Sequence, residues 1–143
     1  MNYFLDTSVL LPAFVDQLPN HEKALAVVCR ALESGNRGVV STHGLAEAYA
    51  VLTALPLPKK IHPLEARAIL ETNVLARMQL IELTAADYQK ALARCADKGL
   101  TSGVIYDALH VVGAEKAGCD CLYTYNVTHF RRFAADSLAI EKP

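Results

Sequence analysis

Apolar and polar positions along this chain fall into blocks whose period switches between strand-like and helix-like. Residues 2–5 (NYFL) are a short apolar run ending at Asp6, the pattern of a buried strand. Thr7 and Ser8 can cap the next segment, and Pro12 is expected to limit the first helix. Asn20 is placed to cap a helix reaching about Ser34, with Gly35 as its stop. Residues 38–41 (GVVS) predict a second strand, and Thr42 opens an apolar helix to about Leu55 that Pro56-Leu57-Pro58-Lys59-Lys60 breaks. Pro63 suits the first turn of a helix running to about Met78, and residues 80–83 (LIEL) predict a third strand. Thr84 and Asp87 resemble a capping box. The helix behind them carries Tyr88, Leu92 and Cys95 at helical spacing and ends before Gly99. Thr101 or Ser102 is placed to cap a further helix ending at Gly118. A fourth strand at 119–124, a short helix near 128–134 and a weak strand near 138–140 complete the pattern.

Alternating strands and helices argue for an α/β fold, a parallel sheet covered by helices on both faces. In such sheets ligands gather at the carboxyl ends of the strands. Asp6 falls at the end of the first strand, and Thr124 and Asn126 at the end of the fourth. No internal repeat or linker interrupts the series, so residues 1–143 are expected to form a single domain.

Composition narrows the class. With 52% hydrophobic and 20% charged residues, the chain has the makeup of a globular protein. A net charge of −1 gives no strong pull toward nucleic acid or membrane, although bound cations or a local basic patch can supply what the sum hides. Cys29 and Cys95 lie in apolar helical stretches and read as buried hydrophobes. Cys119 and Cys121 are expected on one side of a strand, without a second ligand pair at zinc-finger spacing. Reduced thiols fit a cytoplasmic protein. The apolar N-terminus lacks a basic start and carries Asp6 mid-run, so it does not read as a signal peptide, and no apolar stretch is long enough to predict a membrane span.

The informative feature is where acids stand alone. Asp6 is the single charged side chain of residues 1–15, Glu47 that of 45–55, and Asp107 the single acid of 104–114, where His110 accompanies it. The helix bearing Glu47 looks buried on most sides. Taking a carboxylate out of water without a partner costs several kcal/mol, and no Lys or Arg lies inside these windows. An oxygen-preferring divalent cation, Mg²⁺ or Mn²⁺, would hold all three. Each acid also has a purely structural alternative. Asp6 could cap the turn after the first strand, Glu47 could pair with Arg67 or Arg77, and Asp107 could pair with His110.

Four segments in register, FLDTSVLL, HGLAEAYAVLT, IYDALHVVGAEKAG and LYTYNVTHF, resemble the PIN-domain nucleases, in particular the VapC-type toxins of toxin–antitoxin pairs. The resemblance implies a PIN-like, Rossmann-like α/β/α sandwich with a central parallel sheet, and Mg²⁺- or Mn²⁺-dependent cleavage of RNA. Asp6, Glu47 and Asp107 match the family's principal acids and metal ligands. Thr7 matches the hydroxyl after the first acid, and Thr124 the hydroxyl of the fourth motif. Asn126 and His129 stand where family members often carry a fourth acid. The resemblance also implies an antitoxin partner and a homodimer. Without an activated Ser, Cys or Lys, the implied chemistry is attack by water on a phosphodiester, with Lys59, Lys60, Arg131 and Arg132 as candidate RNA contacts.

Other classes on similar sheets fit less well. A haloacid-dehalogenase-type phosphatase wants an acid where Ser8 stands, and a phospho-receiver wants an acidic pair where only Asp6 is offered. A catalytically silent PIN-like module that binds RNA or a protein is the remaining alternative.

Overall fold

The computed structural model describes residues 1–143. Its five strands are β1 (Asn2–Leu5), β2 (Arg37–Ser41), β3 (Gln79–Ile81), β4 (Cys121–Tyr123) and β5 (Ala139–Glu141). They form one all-parallel sheet in the order β3-β2-β1-β4-β5. The helices are α1 (Thr7–Phe14), α2 (His21–Ala31), α3 (Thr42–Ala54), α4 (Pro63–Leu70), α5 (Ala85–Asp97), α6 (Val104–Lys116) and α7 (Val127–Arg131), with a π-helical turn at Glu71–Leu75 continuing α4.

Period-two alternation divides the strands between two cores. Tyr3, Leu5, Val40, Cys121 and Tyr123 point into one, with buried side chains of α1 to α4. Phe4, Val39, Leu122 and Ile140 point into the other, with side chains of α5, α6 and α7. Helices on both faces explain why the inner strands read as continuous apolar runs rather than alternating ones. The chain leaves β1 toward β2 on one side, while β4 lies on the other. The carboxyl ends of β1 and β4 therefore flank a topological switch point, the usual position of a ligand crevice.

The expected elements all occur, with local corrections. Pro12 does not limit the first helix but lies inside α1, where it is buried with Val9, Leu10, Leu11 and Ala13. Apolar burial there outweighs a helix-interior proline penalty of about 3 kcal/mol. Asn20 is the N-cap of α2 in a left-handed conformation, yet its side chain makes no cap bond, and the helix stops at Ala31, before Ser34. The third strand pairs at Gln79–Ile81 rather than 80–83 because Val39, Val40 and Ser41 of β2 set its register. The capping box at Thr84 and Asp87 is present. Neither Thr101 nor Ser102 caps α6: Gly103 is the N-cap, Ser102 is left-handed (φ 61°), and the first turn tightens through Tyr106 N donating to Gly103 O.

On α5 the inner face differs from the one the spacing suggested. Ala91 and Cys95 are buried, whereas Tyr88 and Leu92 are exposed, Leu92 by 58%. The side toward α6 carries charged pairs instead, Asp87 with Lys116 and Arg94 with Glu115, each at 2.6 Å. Cys29 is exposed rather than buried. Cys119 and Cys121 enter opposite cores, because Cys119 precedes β4 and lies outside its pleat.

Burial pushes the Cys119 and Cys121 thiols up to about 12, helped by the charges of Asp120 and Glu141 respectively. Folded protein treated with iodoacetamide at neutral pH is therefore expected to take one label, on Cys29, with the other three cysteines modified only after denaturation. Peptide mass mapping checks this. Rapid native labelling at Cys119 or Cys121 would contradict their burial.

Candidate active site

Asp6 is the first residue beyond β1, and its N–H donates to Tyr123 O, so the β1–β4 ladder fixes its backbone. Its carbonyl accepts from Val9 and Leu10, which starts α1. The side chain does not cap that helix. Instead Oδ2 accepts from Ser8 Oγ at 2.6 Å and from Thr124 Oγ1 at 2.8 Å. Ser8 Oγ also accepts from Tyr125 N, and Thr124 Oγ1 from Asn126 N, so backbone amides orient both hydroxyls. Both hydroxyls act on one oxygen. Oδ1 is left facing His110 Nε2 at 3.4 Å.

Glu47 arrives from α3, whose N-cap Ser41 accepts from Gly44 N. Its partners are not Arg67 or Arg77: Arg67 pairs with Glu71 one turn along. Glu47 Oε2 lies 3.1 Å from His43 Nε2, and Oε1 lies 3.6 Å from His110 Nε2. Asp107 sits in the first turn of α6, where unpaired helix amides favour a carboxylate. It is not paired with His110, whose Nε2 faces Asp6 and Glu47. Its neighbour is His129, with Nδ1 3.5 Å from Oδ2.

The three acids thus converge from three elements, and no Lys or Arg forms an ion pair with any of them. Every basic side chain beside them is a histidine. Glu47 and Asp107 are only partly buried, with side chains 28% and 20% exposed. The expectation that α3 is buried on most sides fails: Ala46, Tyr49, Ala50 and Ala54 face solvent. Alanines carry too little apolar area to dictate a buried face.

Charge crowding sets the protonation. Burial would raise Glu47, but the imidazoles of His110 and His43 outweigh it and hold the carboxyl well below its usual range. Asp107 moves the other way, raised by burial and by the charge of Asp6. His110 is fully enclosed. Burial favours its neutral form, yet Glu47, Asp6 and Asp107 together raise it above an ordinary histidine. Gly44 permits this packing, since a Cβ there would meet the His110 ring at 3.3 Å.

The other expected residues divide by position. Thr124 joins the site through Asp6. Thr7 Oγ1 is buried beside Glu47 and helps to hold that carboxyl low without a close hydrogen bond of its own, and Ser8 rather than Thr7 holds the first acid. The D-x-S spacing was the available signal for Ser8. Asn126 enters through its backbone N–H, as the N-cap of α7, and not through a side-chain cap. Arg131 and Arg132 follow His129 at the end of α7 and are exposed. Lys59 lines a separate cavity with Phe14, Val15 and Asp16, beyond the far end of α1 from Asp6. His43 was missed, because one histidine at an i, i+4 spacing from a glutamate is common on helix surfaces.

The family described as "PIN domain" matches residues 3–136. The chain belongs to the PIN-domain family. Ribonuclease VapC40 of Mycobacterium tuberculosis is 36% identical over 118 residues, 82% of this chain and 81% of that protein. Among solved structures, VapC20 of Mycobacterium tuberculosis superposes with a TM-score of 0.74 at 15% identity, covering 94% of this chain and 97% of the other. VapBC2 of Rickettsia felis superposes with a TM-score of 0.69 at 21% identity, covering 100% and 99%. These two likenesses show the fold, a PIN-type parallel sheet between helical layers.

Two outcomes follow for this PIN domain in excess chelator. Neutralising one crowded acid relieves repulsion, so Asp107→Asn is expected to melt no lower than wild type, and up to about 4 °C higher if roughly 1 kcal/mol is recovered. Calorimetry decides, and clear destabilisation would mean that Asp107 is structural. The raised His110 stabilises the fold fully below its unfolded value of about 6.5, and that contribution is lost as pH rises through the higher folded value. The melting temperature should therefore fall on the alkaline side of pH 6.5, and less steeply in His110→Asn. A pH series of melts on both proteins tests the difference in slope.

Proposed function

We propose that this chain is a divalent-metal-dependent endoribonuclease, the toxin of a toxin–antitoxin pair, with residues 1–143 forming one nuclease domain. The observation that carries the reading is the meeting of Asp6, Glu47 and Asp107 at the switch point with no Lys or Arg to neutralise them. Kinship with ribonucleases of the VapC type over four-fifths of the chain supports RNA as the substrate. Asp6, Glu47 and Asp107 would hold Mg²⁺ or Mn²⁺, and Oδ1 of Asp6, which accepts no hydrogen bond and has only the 3.4 Å contact to His110, suits that role. A divalent ion at such a site supplies an activated water and neutralises charge developing on the phosphodiester.

The protein's own groups do the positioning. Ser8 and Thr124 fix the Asp6 carboxylate, so that one oxygen always faces the crevice. Arg131 and Arg132, at the end of α7 beyond His129 and Asp107, provide a cationic flank for an RNA backbone. Protein partners, an antitoxin chain and a second copy, are supported by exposed apolar side chains. Tyr49, Leu64 and Leu75 line one groove of about 500 Å³ with Leu45 and Leu70. No helix is long and apolar enough to cross a membrane.

Water attack is expected to leave 5′-phosphate and 3′-hydroxyl ends and to stop in excess EDTA. Asp6→Asn should lose cleavage by about 100-fold or more, with an unchanged fold by circular dichroism. Cyclic phosphate ends, or full activity in EDTA, would sink the mechanism. A protein that binds RNA without any metal-dependent cleavage would point to a silent binding module. At the fourth position, His129 tolerates Mn²⁺ better than Mg²⁺, so higher activity is expected with Mn²⁺ at equal concentration. His129→Asp, which puts a hard ligand at a position whose present side chain lies 3.5 Å from Asp107, should lower the Mg²⁺ concentration for half-maximal rate. An unshifted Mg²⁺ midpoint would place His129 outside the metal's reach.

A further inference from the structure

The acid cluster is flanked by more nitrogen than an oxygen-preferring cation uses. His43, Glu47 and His110 each offer one ligand atom, and these atoms lie within 4.8 Å of one another. The two contacts to Glu47 are 3.1 and 3.6 Å. These contacts reach different oxygens, Oε2 from His43 and Oε1 from His110, whereas a tetrahedral ion with bonds of about 2.0–2.1 Å places neighbouring donors roughly 3.3 Å apart around a single carboxylate oxygen. With all three ligand atoms within 4.8 Å, tetrahedral spacing calls for adjustment by Glu47 and His43, the two partly exposed side chains.

A second observation points to a ligand. The His110 side chain is 1% exposed, and neither ring nitrogen has a hydrogen-bond partner. Nε2 has only the longer contacts to Asp6 and Glu47, and a buried imidazole without a close hydrogen bond is costly unless something else satisfies it. Its Nε2 is aimed between Asp6 and Glu47, into the crevice. The ring itself is held in place by Phe4 and Phe130. His43 is likewise oriented, stacked on Tyr106 with centroids 5.0 Å apart and planes within 9°.

We propose that His43, Glu47 and His110 form a binding site for a borderline divalent cation of the Zn²⁺ and Co²⁺ class, adjacent to the Asp6–Asp107 pair and sharing Glu47 with it. Two imidazoles and one carboxylate make a donor set that favours such ions over Mg²⁺, which prefers oxygen throughout. Asp6 Oδ1, 3.4 Å from His110 Nε2, adds negative charge beside the bound ion. Because Glu47 belongs to both donor sets, filling this site withdraws a ligand from the acids. The inference stands on this geometry and does not depend on RNA cleavage.

Metal-free protein would be titrated with Co²⁺ in excess Mg²⁺, followed by visible absorption and by competition with a chromophoric zinc indicator. One equivalent is expected to bind with the absorption bands of nitrogen-coordinated Co²⁺. His43→Gln should weaken binding by about tenfold or more, since loss of even an outer-shell partner costs a metal site that much. Asp107→Asn should leave it within about threefold, even if that variant has lost all nuclease activity. Nitrogen NMR of the wild type should show Zn²⁺ shifting the Nε2 resonances of His43 and His110, and this decides the matter if His43→Gln does not fold. No binding in Mg²⁺, equal weakening by Asp107→Asn and His43→Gln, or unshifted imidazole nitrogens would each overturn the proposal.

Discussion

Two carboxylates held beside one enclosed imidazole, with a third close enough to act on it by charge, set the electrostatics of the site. Like charges at such spacing repel, and the crevice gives them no Lys or Arg. The opposite shifts of Glu47 and Asp107 show how the strain is shared. The acid beside two histidines stays ionised readily, and the acid facing the other charges gives up its proton late. The fold tolerates this because its cores lie elsewhere, on the two faces of the sheet, and the cost is confined to one rim.

Sheet topology puts the acids there. In a parallel sheet every strand delivers its carboxyl end to the same edge, and the reversal of direction at β1 opens a crevice between the segments leaving β1 and β4. Asp6 is rigid because the β1–β4 ladder fixes its backbone and two hydroxyls, themselves oriented by Tyr125 and Asn126 amides, fix one of its oxygens. Glu47 and Asp107 ride on α3 and α6. Gly44 and Gly113 let these helices lie close: a Cβ at Gly44 would meet His110 at 3.3 Å, and one at Gly113 would meet Phe4 at 3.3 Å. Carboxylate positions are thus inherited from backbone packing, the most rigid part of the structure.

The chain order of apolar runs, caps and breakers was enough to determine the alternating α/β pattern, the Thr84–Asp87 capping box and the placing of Asp6 and Thr124 at strand ends. These depend on local period and on short-range hydrogen bonding, which a linear string carries. Isolation of Asp6, Glu47 and Asp107 in apolar windows marked the acids for the same reason: an unpaired charge among hydrophobes is visible without knowing its neighbours. Tertiary structure alone decided the partners. Ser8 rather than Thr7 holds Asp6, and His110 turns to Asp6 and Glu47 rather than to Asp107, because helix α6 crosses near β1 and α3 at that level. Pro12 stays helical because packing outweighs a local preference worth a few kcal/mol at most, α5 turns Ala91 and Cys95 rather than Leu92 inward, and Cys119 and Cys121 part company because β4 begins only at Cys121. A carboxylate's identity is written in the chain, but the group that answers its charge is chosen by whichever element the fold brings alongside.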